Sequence, residues 1–365
     1  MKKAKVIIPC AVLAVLVIGV VIAYAFFLPH PLNYDIKSIE SIGSTVEVVG
    51  STEDCVTIKN TENKSFKVLT FTDIHLDGKN ETSFMTVDNI VKNITREKPD
   101  LVLFGGDTVT SAFNTKRAKQ FCEIFERLGV YWAGVLGNHE GDNGLSMTRP
   151  DMIELFSSYE HCLMLEGSAE IWGDGNYYLN ILNPDGTLCH TFVFMDTGDE
   201  VSEETKAEYG IPADKSPYDG TKPSQVEWYK QVIENNKAEY GRFNSTIIVH
   251  IPIYQMKEAA EKREYLCGNK LENVCASGFD SGLFDAIKAG GSTKNVFFGH
   301  DHLNDFSLML DGVMLGYMQP SGYGSYTTLS KLNYEEKDWL QGGMILDISA
   351  DGTYSPVHFR NCEVN

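Results

Sequence analysis

The segments FKVLTFTDIH (66–75), LVLFGGD (101–107) and VYWAGVLGNHE (130–140) share one pattern. In each segment, an apolar run with the length of a buried strand ends in polar residues. Between the segments, apolar residues recur at helical spacing, which predicts a helix in each interval. This part of the chain therefore predicts a β-α-β-α-β unit with parallel strands.

The polar residues that end these runs are expected to meet. In open α/β sheets, ligands bind beyond the carboxyl ends of the strands. Asp73, Asp107 and Asn138 occupy those places in the three segments. We therefore expect three segments that are distant in sequence to converge on one point.

The rest of the chain predicts further strands, helices and two long loops. Strands are predicted within 45–59 and at 176–181, 188–195, 246–249, 295–298, 305–310, 312–318, 342–348 and 353–359. Helices are predicted at 224–238 and, capped by Ser281, through residue 289. Residues 196–222, which are acidic and rich in turn formers, and residues 254–278 predict loops. The expected fold class is α/β, a four-layer αββα sandwich of two mixed β-sheets flanked by helices.

Five short motifs carry side chains of the types that bind a borderline or hard metal ion. They are Asp73-Ile74-His75, Gly105-Gly106-Asp107, Gly137-Asn138-His139-Glu140, His250 and Gly299-His300-Asp301-His302. Each motif by itself has a plainer interpretation, such as a turn aspartate or an exposed histidine. Together, each at the end of an apolar run, they supply enough ligands for two metal ions. They indicate metal-assisted cleavage of a phosphate ester.

The set and order of these motifs resemble the calcineurin-like metallophosphoesterase superfamily, whose blocks read D-x-H, G-D, G-N-H-[ED], H and G-H-x-H. The resemblance covers residues 66–320. The residues around the blocks, such as VLGNHEGD and VFFGHDHLNDF, are similar to those of the small, single-domain purple-acid-phosphatase-like proteins. The resemblance implies the metallophosphatase fold for the sandwich predicted above.

The resemblance also implies a role for each motif residue. Asp73, His75 and His302 would hold a first metal ion. Asn138, His250 and His300 would hold a second. Asp107 would bridge the two ions, and His139 would donate a proton to the leaving oxygen. The implied cofactors are two divalent ions (Mn, Fe or Zn), and a hydroxide bridging them would attack phosphorus in line.

The chain departs from the purple enzymes at one position. Purple acid phosphatases carry a Tyr metal ligand three residues after the bridging Asp, and this chain has Thr110 there. Without a phenolate ligand, the Fe(III) charge-transfer colour of those enzymes is expected to be absent. Asp301, between the two histidines of the last motif, is expected to point away from the ions and to support them indirectly.

The chain is strongly acidic, with 31 Lys plus Arg against 50 Asp plus Glu and a net charge of −19. Such a surface repels polyanions, which argues against long nucleic acids as partners. A small phosphate ester or a phosphoprotein remains a suitable substrate, because metal ions dominate the local field of their site.

Residues 6–28 form an unbroken apolar run behind three lysines. The length of the run predicts a single-pass membrane anchor, and the lysines place the N-terminus in the cytoplasm. Secretion after signal cleavage near Ala25 is the alternative, since Ala23-Tyr24-Ala25 has the small-x-small pattern of a cleavage site. Both interpretations place the catalytic part outside the cytoplasm. The predicted divisions are an anchor or signal segment (1–28), a linker with short strands (29–65) and the metallophosphoesterase domain (66–365).

Eight cysteines fit an oxidising compartment. Cys267 and Cys275 lie close together in a predicted loop and are expected to form a disulfide, and Cys162 with Cys189 is a second candidate pair. The sequence has no CxxC motif, which argues against a thiolate zinc site.

Three functions fit these observations. The first is an outward-facing, membrane-anchored phosphatase that acts on phosphate monoesters. The second is a phosphodiesterase or nucleotidase of the same superfamily. The loops 196–222 and 254–278, with Gly322-Tyr323-Gly324, would decide between these two by shaping the pocket. The third is a catalytically silent binding protein of this fold, against which the complete set of ligand and donor positions argues.

Overall fold

The computed structural model describes residues 13, 16–19, 32–62, 64–77, 80–110, 114–142, 147–215, 217–325 and 340–364. Within these ranges, none of the helices combines the length and the apolar character needed to cross a bilayer. The apolar run 6–28 lies outside the described residues, apart from residues 13 and 16–19. The anchor and the signal peptide therefore stay predictions.

The unit predicted from residues 66–140 forms the centre of a five-stranded sheet. Its strands are β3 (Phe66–Phe71), β4 (Leu101–Phe104) and β5 (Trp132–Gly134), joined by helices α1 (Asn80–Glu97) and α2 (Thr115–Leu128). The three strands are parallel. Two antiparallel strands, β13 (Gly342–Ile348) and β14 (Pro356–Arg360), complete the order β14-β13-β3-β4-β5. Helix α2 ends where Gly129, at φ 64°, takes the left-handed conformation that closes a helix.

A nine-stranded sheet forms the second layer of strands. Its strands are β1 (Val46–Ser51), β2 (Cys55–Asn60), β6 (Tyr177–Leu182), β7 (Leu188–Phe194), β8 (Asn244–Ile248), β9 (Tyr265–Cys267), β10 (Thr293–Phe298), β11 (Ser307–Leu310) and β12 (Val313–Tyr317). They lie in the order β1-β2-β6-β7-β8-β10-β12-β11-β9. Strands β7, β8, β10 and β12 are parallel, so their carboxyl ends share one edge.

The remaining helices are α3 (Arg149–Ser157), α4 (Glu203–Tyr209), α5 (Pro223–Tyr240), α6 (Gln255–Lys262), α7 (Leu283–Gly290) and α8 (Asn361–Val364). Short 3-10 turns lie at Ile36–Ser38 and His139–Gly141.

Two apolar clusters divide the molecule into four layers. In β7, Phe192 and Phe194 belong to the larger cluster, which packs around the five-stranded sheet, whereas Val193 belongs to the cluster beneath α5, α6 and α7. This alternation follows from the two-residue period of a strand. Helices α1, α2 and α3 cover the outer face of the five-stranded sheet. The predicted four-layer α/β sandwich of two mixed sheets is therefore confirmed.

Three local predictions were wrong. The predicted loop 196–222 contains α4, and the predicted loop 254–278 contains α6 and β9. These elements are short, and the two helices are mostly polar, so they lack the long apolar periodicity that identifies a helix or strand. Gly282, rather than Ser281, precedes α7.

Neither predicted disulfide forms. Cys162, Cys189, Cys267 and Cys275 are all free thiols. Cys267 does not lie in a loop beside Cys275, because it belongs to β9, which pairs with β11. Its sulfur lies 3.2 Å from the hydroxyl oxygen of Ser307 on β11.

Candidate metal centre

The predicted ligands all follow directly on strands whose carboxyl ends meet. Strands β3, β4 and β5 precede the first three motifs, and β8 and β10 precede His250 and His300. The backbone turns sharply at these points. Asp73, His75, Asp107 and His300 are four of the six non-glycine residues with positive φ in the described part of the chain. Backbone strain of this kind concentrates at functional sites, because it aims side chains that a relaxed strand would aim elsewhere.

The first group of ligand-type atoms comes from both sheets. Asp73, His75, Asp107 and His302 offer ligand atoms that all lie within 4.8 Å of one another, and all four residues are buried. The Nε2 atoms of His75 and His302 lie 3.0 Å apart. The Nε2 atom of His302 lies 3.2 Å from Oδ1 of Asp73. Nitrogen and oxygen atoms of this type, this close together, could hold one cation.

A second group lies on the other side of Asp107. The amide oxygen of Asn138 is 3.1 Å from Nε2 of His250 and 2.9 Å from Nδ1 of His300. The Nδ1 atom of His250 lies 2.7 Å from the carbonyl oxygen of Gly105 and therefore donates its proton there. With the proton on Nδ1, the lone pair of Nε2 is free to bind a metal. This Nε2 atom is the one that lies near Asp107 and Asn138.

The carboxylate of Asp107 lies between the two groups. Its Oδ2 atom is 3.4 Å from Nε2 of His75 and 3.3 Å from Nε2 of His250. Nevertheless, this buried oxygen has no partner in hydrogen-bonding geometry among the described residues. Buried polar atoms are normally paired, and an acceptor facing metal-type nitrogens on both sides fits a site for cations. The residues present therefore fit two metal ions with Asp107 between them.

The electrostatic field of this region favours positive charge. Burial lowers the pKa of His250, but the carboxylates of Asp107 and Asp73 outweigh burial and raise it to about 10. The pKa of Asp107 is held below its usual range by His250 and His75, although burial opposes this. Burial and the neighbouring imidazoles lower the pKa of His300 to about 3, so His300 offers a neutral lone pair.

His139 stands beside the two groups rather than within them. Its Nε2 atom is 4.0 Å from Oδ2 of Asp107, and its side chain is 37% exposed. Its Nδ1 atom hydrogen-bonds the carboxylate of Asp142. Burial lowers the pKa of His139, but Asp107 and Asp142 together raise it above its usual value. An imidazole held in this way can present a proton at Nε2 toward the site.

Sequence reasoning gave Glu140 no role, yet its buried carboxylate ties two ligand segments together. It accepts N–H groups of Asp107 at 3.1 Å and Gly137 at 2.6 Å, and the hydroxyl of Thr108 at 2.7 Å. Gly137 has no room for a side chain, because a Cβ atom there would lie 2.1 Å from Oδ1 of Asp107. The acid at the end of the Gly137-Asn138-His139-Glu140 motif was the one available hint of this role.

Residues near the site also include some that do not face it. Asp301 accepts the N–H of Cys275 at 3.0 Å and the hydroxyl of Tyr317, so it points away from the ligand groups. Its bonds hold the loop before α7 rather than a ligand imidazole.

Thr110 donates its N–H to the carbonyl of Leu76 at 3.4 Å. The ring of Tyr218 packs edge-on against His300 with centroids 4.2 Å apart, which makes the loop 196–222 a wall of the site.

Comparisons with known proteins bear on this arrangement. Residues 66–304 match the family model for calcineurin-like phosphoesterases. Two relatives from Arabidopsis thaliana are named probable inactive purple acid phosphatases 14 and 29. The first is 29% identical over 305 residues, which cover 73% of each chain. The second is 30% identical over 273 residues, which cover 69% of this chain and 66% of the relative.

A solved structure shows the same fold. A dimetal phosphatase from Danio rerio superposes with a TM-score of 0.53 at 15% identity, covering 82% of this chain and 100% of that chain. The match of the family model extends over well more than half of the chain and includes all seven predicted ligands. The chain therefore belongs to the calcineurin-like phosphoesterase family.

Proposed function

We propose that this protein is a dimetal-dependent hydrolase that removes phosphate from monoesters. One observation carries the proposal: buried ligand-type atoms from both sheets lie close to the Oδ2 atom of Asp107, which has no hydrogen-bond partner among the described residues. In this proposal Asp73, His75 and His302 would hold one divalent ion. Asn138, His250 and His300 would hold the other, and Asp107 would be a shared ligand. Bound cations would supply neutralisation of the phosphate charge and activation of water, and Mn, Fe and Zn all suit this set of N and O ligands.

His139 is proposed as the general acid. The carboxylate of Asp142 accepts a hydrogen bond from Nδ1, which orients the ring so that Nε2 faces the region beside Asp107. A leaving alkoxide needs a proton, and a positioned imidazolium supplies one. The half-exposed position of His139 fits this role, because the leaving group must be able to depart into solvent.

A catalytically silent binding protein is the competing function, because the relatives named above are called probable inactive phosphatases. In this chain every ligand position implied by the family resemblance carries a suitable side chain, and His139 is present as a donor. That completeness supports catalysis over binding alone.

The proposal also places the catalytic domain outside the cytoplasm and limits the class of substrate. The apolar run 6–28 behind three lysines supports a catalytic domain outside the cytoplasm, by an anchor or after cleavage near Ala25. The net charge of −19 supports a small phosphate ester or a phosphoprotein, rather than a long nucleic acid, as the substrate.

The test is a paired assay on the purified chain without residues 1–28. After removal of metal with a chelator, the protein is reconstituted separately with Mn²⁺, Fe²⁺ or Zn²⁺. Each sample is assayed with a chromogenic monoester and the matching diester. We expect monoester hydrolysis that depends on metal and exceeds diester hydrolysis. Preference for the diester would favour a phosphodiesterase, and no hydrolysis of either with two ions bound would favour the silent binding protein.

A further inference from the structure

Arg149 is a nearly buried cation with no part in the set of ligands. It is the first residue of α3, and its side chain is 15% exposed. One guanidinium nitrogen donates to the carbonyl oxygen of Gly137, and the other bonds the carboxylate of Asp196, which is 2% exposed. The Nε atom also lies 3.8 Å from a carboxylate oxygen of Asp174. A buried arginine with two directional contacts fixes the distance between its partners.

The two partners, Gly137 and Asp196, follow strands of different sheets. Gly137 follows β5 in the five-stranded sheet and immediately precedes Asn138, whereas Asp196 follows β7 in the nine-stranded sheet. Asn138 must in turn meet His250 and His300, which follow strands of the nine-stranded sheet. The Arg149 bridge therefore lies across the gap that the second group of ligands has to span.

The far end of the bridge continues to His250. Asp196 is held by the N–H groups of Asp174 at 2.8 Å and Gly198 at 2.9 Å. The next residue, Thr197, accepts the N–H of Ile251 at 3.1 Å through its hydroxyl. Ile251 directly follows His250. A continuous chain of contacts thus runs from the segment of Asn138, through Arg149 and Asp196, to the segment of His250.

The near end of the bridge is also fixed. Helix α3 begins with a capping box, in which the hydroxyl of Thr148 accepts the N–H of Asp151 and the carboxylate of Asp151 accepts the N–H of Thr148. Such a box holds the first turn of a helix in place. Arg149 therefore projects from a rigid helix start rather than from a mobile loop.

A second contact between the sheets joins the two groups of ligands. The backbone N–H of His300, in the second group, lies 3.1 Å from both carboxylate oxygens of Asp73, in the first. Among the described residues, no hydrogen bond or ion pair joins Arg149 to Asp73, His75 or His302. The contacts of Arg149 thus cross between the sheets without involving a ligand of the first group.

We infer that Arg149 is a positioning residue which, with Asp196, sets the spacing of Asn138 from His250 and His300 and so governs the affinity of the second metal ion alone. The inference rests on the proposed two-metal function. It assigns no contact between Arg149 and substrate.

The test is a titration of the apo-protein with Mn²⁺, monitored by calorimetry and by electron paramagnetic resonance. The proteins compared are wild type, Arg149→Lys, Arg149→Met and Asp196→Asn. Neighbours that orient metal ligands typically change affinity about 10- to 100-fold. We expect the second Mn²⁺ to bind at least about tenfold more weakly in each variant, while the affinity of the first changes by less than about threefold. The spin-coupled signal of a Mn²⁺ pair should give way to that of a single ion at limiting metal.

Asn236→Ala is the matched control for lost stability. Asn236 is buried, with 2% of its surface exposed, and donates to Asn180 at 2.9 Å and Thr191 at 3.0 Å, on β6 and β7 and away from Gly137. This variant should melt at a lower temperature and keep both affinities, which would support a specific role for Arg149. Unchanged second-ion affinity in the Arg149 and Asp196 variants, or equal weakening of both ions, would overturn the inference alone. A wild-type chain that binds fewer than two ions would overturn the proposed function and the inference with it.

Discussion

Asp107 is the residue on which the proposed two-metal site depends most. Its Oδ2 atom is buried, has no hydrogen-bond partner among the described residues, and lies within 3.4 Å of a nitrogen atom from each group. Asp107→Asn keeps the shape of the side chain and removes its charge. We expect this variant to lose both ions and its activity together, measured by metal analysis of the dialysed protein and by monoester turnover. Full metal occupancy in Asp107→Asn would refute the bridging role.

His139 gives a second prediction for a single residue, because its proposed role concerns the leaving group and not the metal. His139→Ala should keep both ions and lower the turnover of an alkyl phosphate by about 100-fold or more. The loss should be much smaller for 4-nitrophenyl phosphate, whose leaving group needs no proton. An equal loss for both substrates would exclude His139 as the acid and point to a role in binding.

The 3-10 turn His139–Gly141 depends, as an element, on Glu140. One carboxylate accepts N–H groups from the segments that follow β4 and β5. In Glu140→Gln, the amide NH₂ would face backbone N–H groups that need an acceptor. We expect the free energy of unfolding to fall by about 2–3 kcal/mol or more, because hydrogen bonds to a buried charge are lost. Urea denaturation should detect this loss.

Glu154→Gln, at an exposed position of α3, is the matched control and should stay within about 0.5 kcal/mol of wild type. A Glu140→Gln variant as stable as this control would show that Glu140 does not hold the two segments together.

His190, a buried residue of strand β7, lies away from the site. Its burial makes the stability of the folded chain depend on pH. Nδ1 of His190 donates to the carbonyl of Gly352 at 3.1 Å, and Nε2 lies 3.0 Å from the hydroxyl of Thr246. Burial lowers the pKa of His190 from 6.5 to about 4. Between these values the unfolded chain binds the proton that the folded chain excludes, so stability is complete above pH 6.5 and falls as pH drops toward 4.

The corresponding measurement compares wild type with His190→Gln. Between pH 7 and pH 5, wild type should lose about 2 kcal/mol more of its free energy of unfolding than the variant does. The comparison cancels the titration of other groups. The same loss in both proteins would mean that His190 is protonated in the folded state.

The elements that sequence alone predicted are those with a long, regular apolar pattern. The spans of β3, β4, α1 and α2 follow from runs and spacings between residues 66 and 128. Helices α4 and α6 were missed because seven or eight mostly polar residues carry too little apolar periodicity. Their helical form depends on packing against distant elements, which local sequence does not record, and in α4 also on the cap that Ser202 provides.

At the scale of the whole molecule, the site lies where the carboxyl edges of the two sheets meet. The predicted ligands could be found from sequence because each follows an apolar run, and strand ends in such folds share an edge. Glu140 and Arg149 could not be assigned in the same way. Their roles depend on which backbone groups approach them, and those groups come from segments up to 47 residues away.

The central claim is that these residues hold two cations on either side of Asp107. Anomalous diffraction at the manganese edge, from a crystal of the catalytic part soaked in Mn²⁺, tests it directly. We predict two peaks about 3.5–4 Å apart. One should lie among Asp73, His75 and His302, the other among Asn138, His250 and His300, with Oδ2 of Asp107 between them. A single peak, or peaks that do not contact Asp107, would contradict the claim.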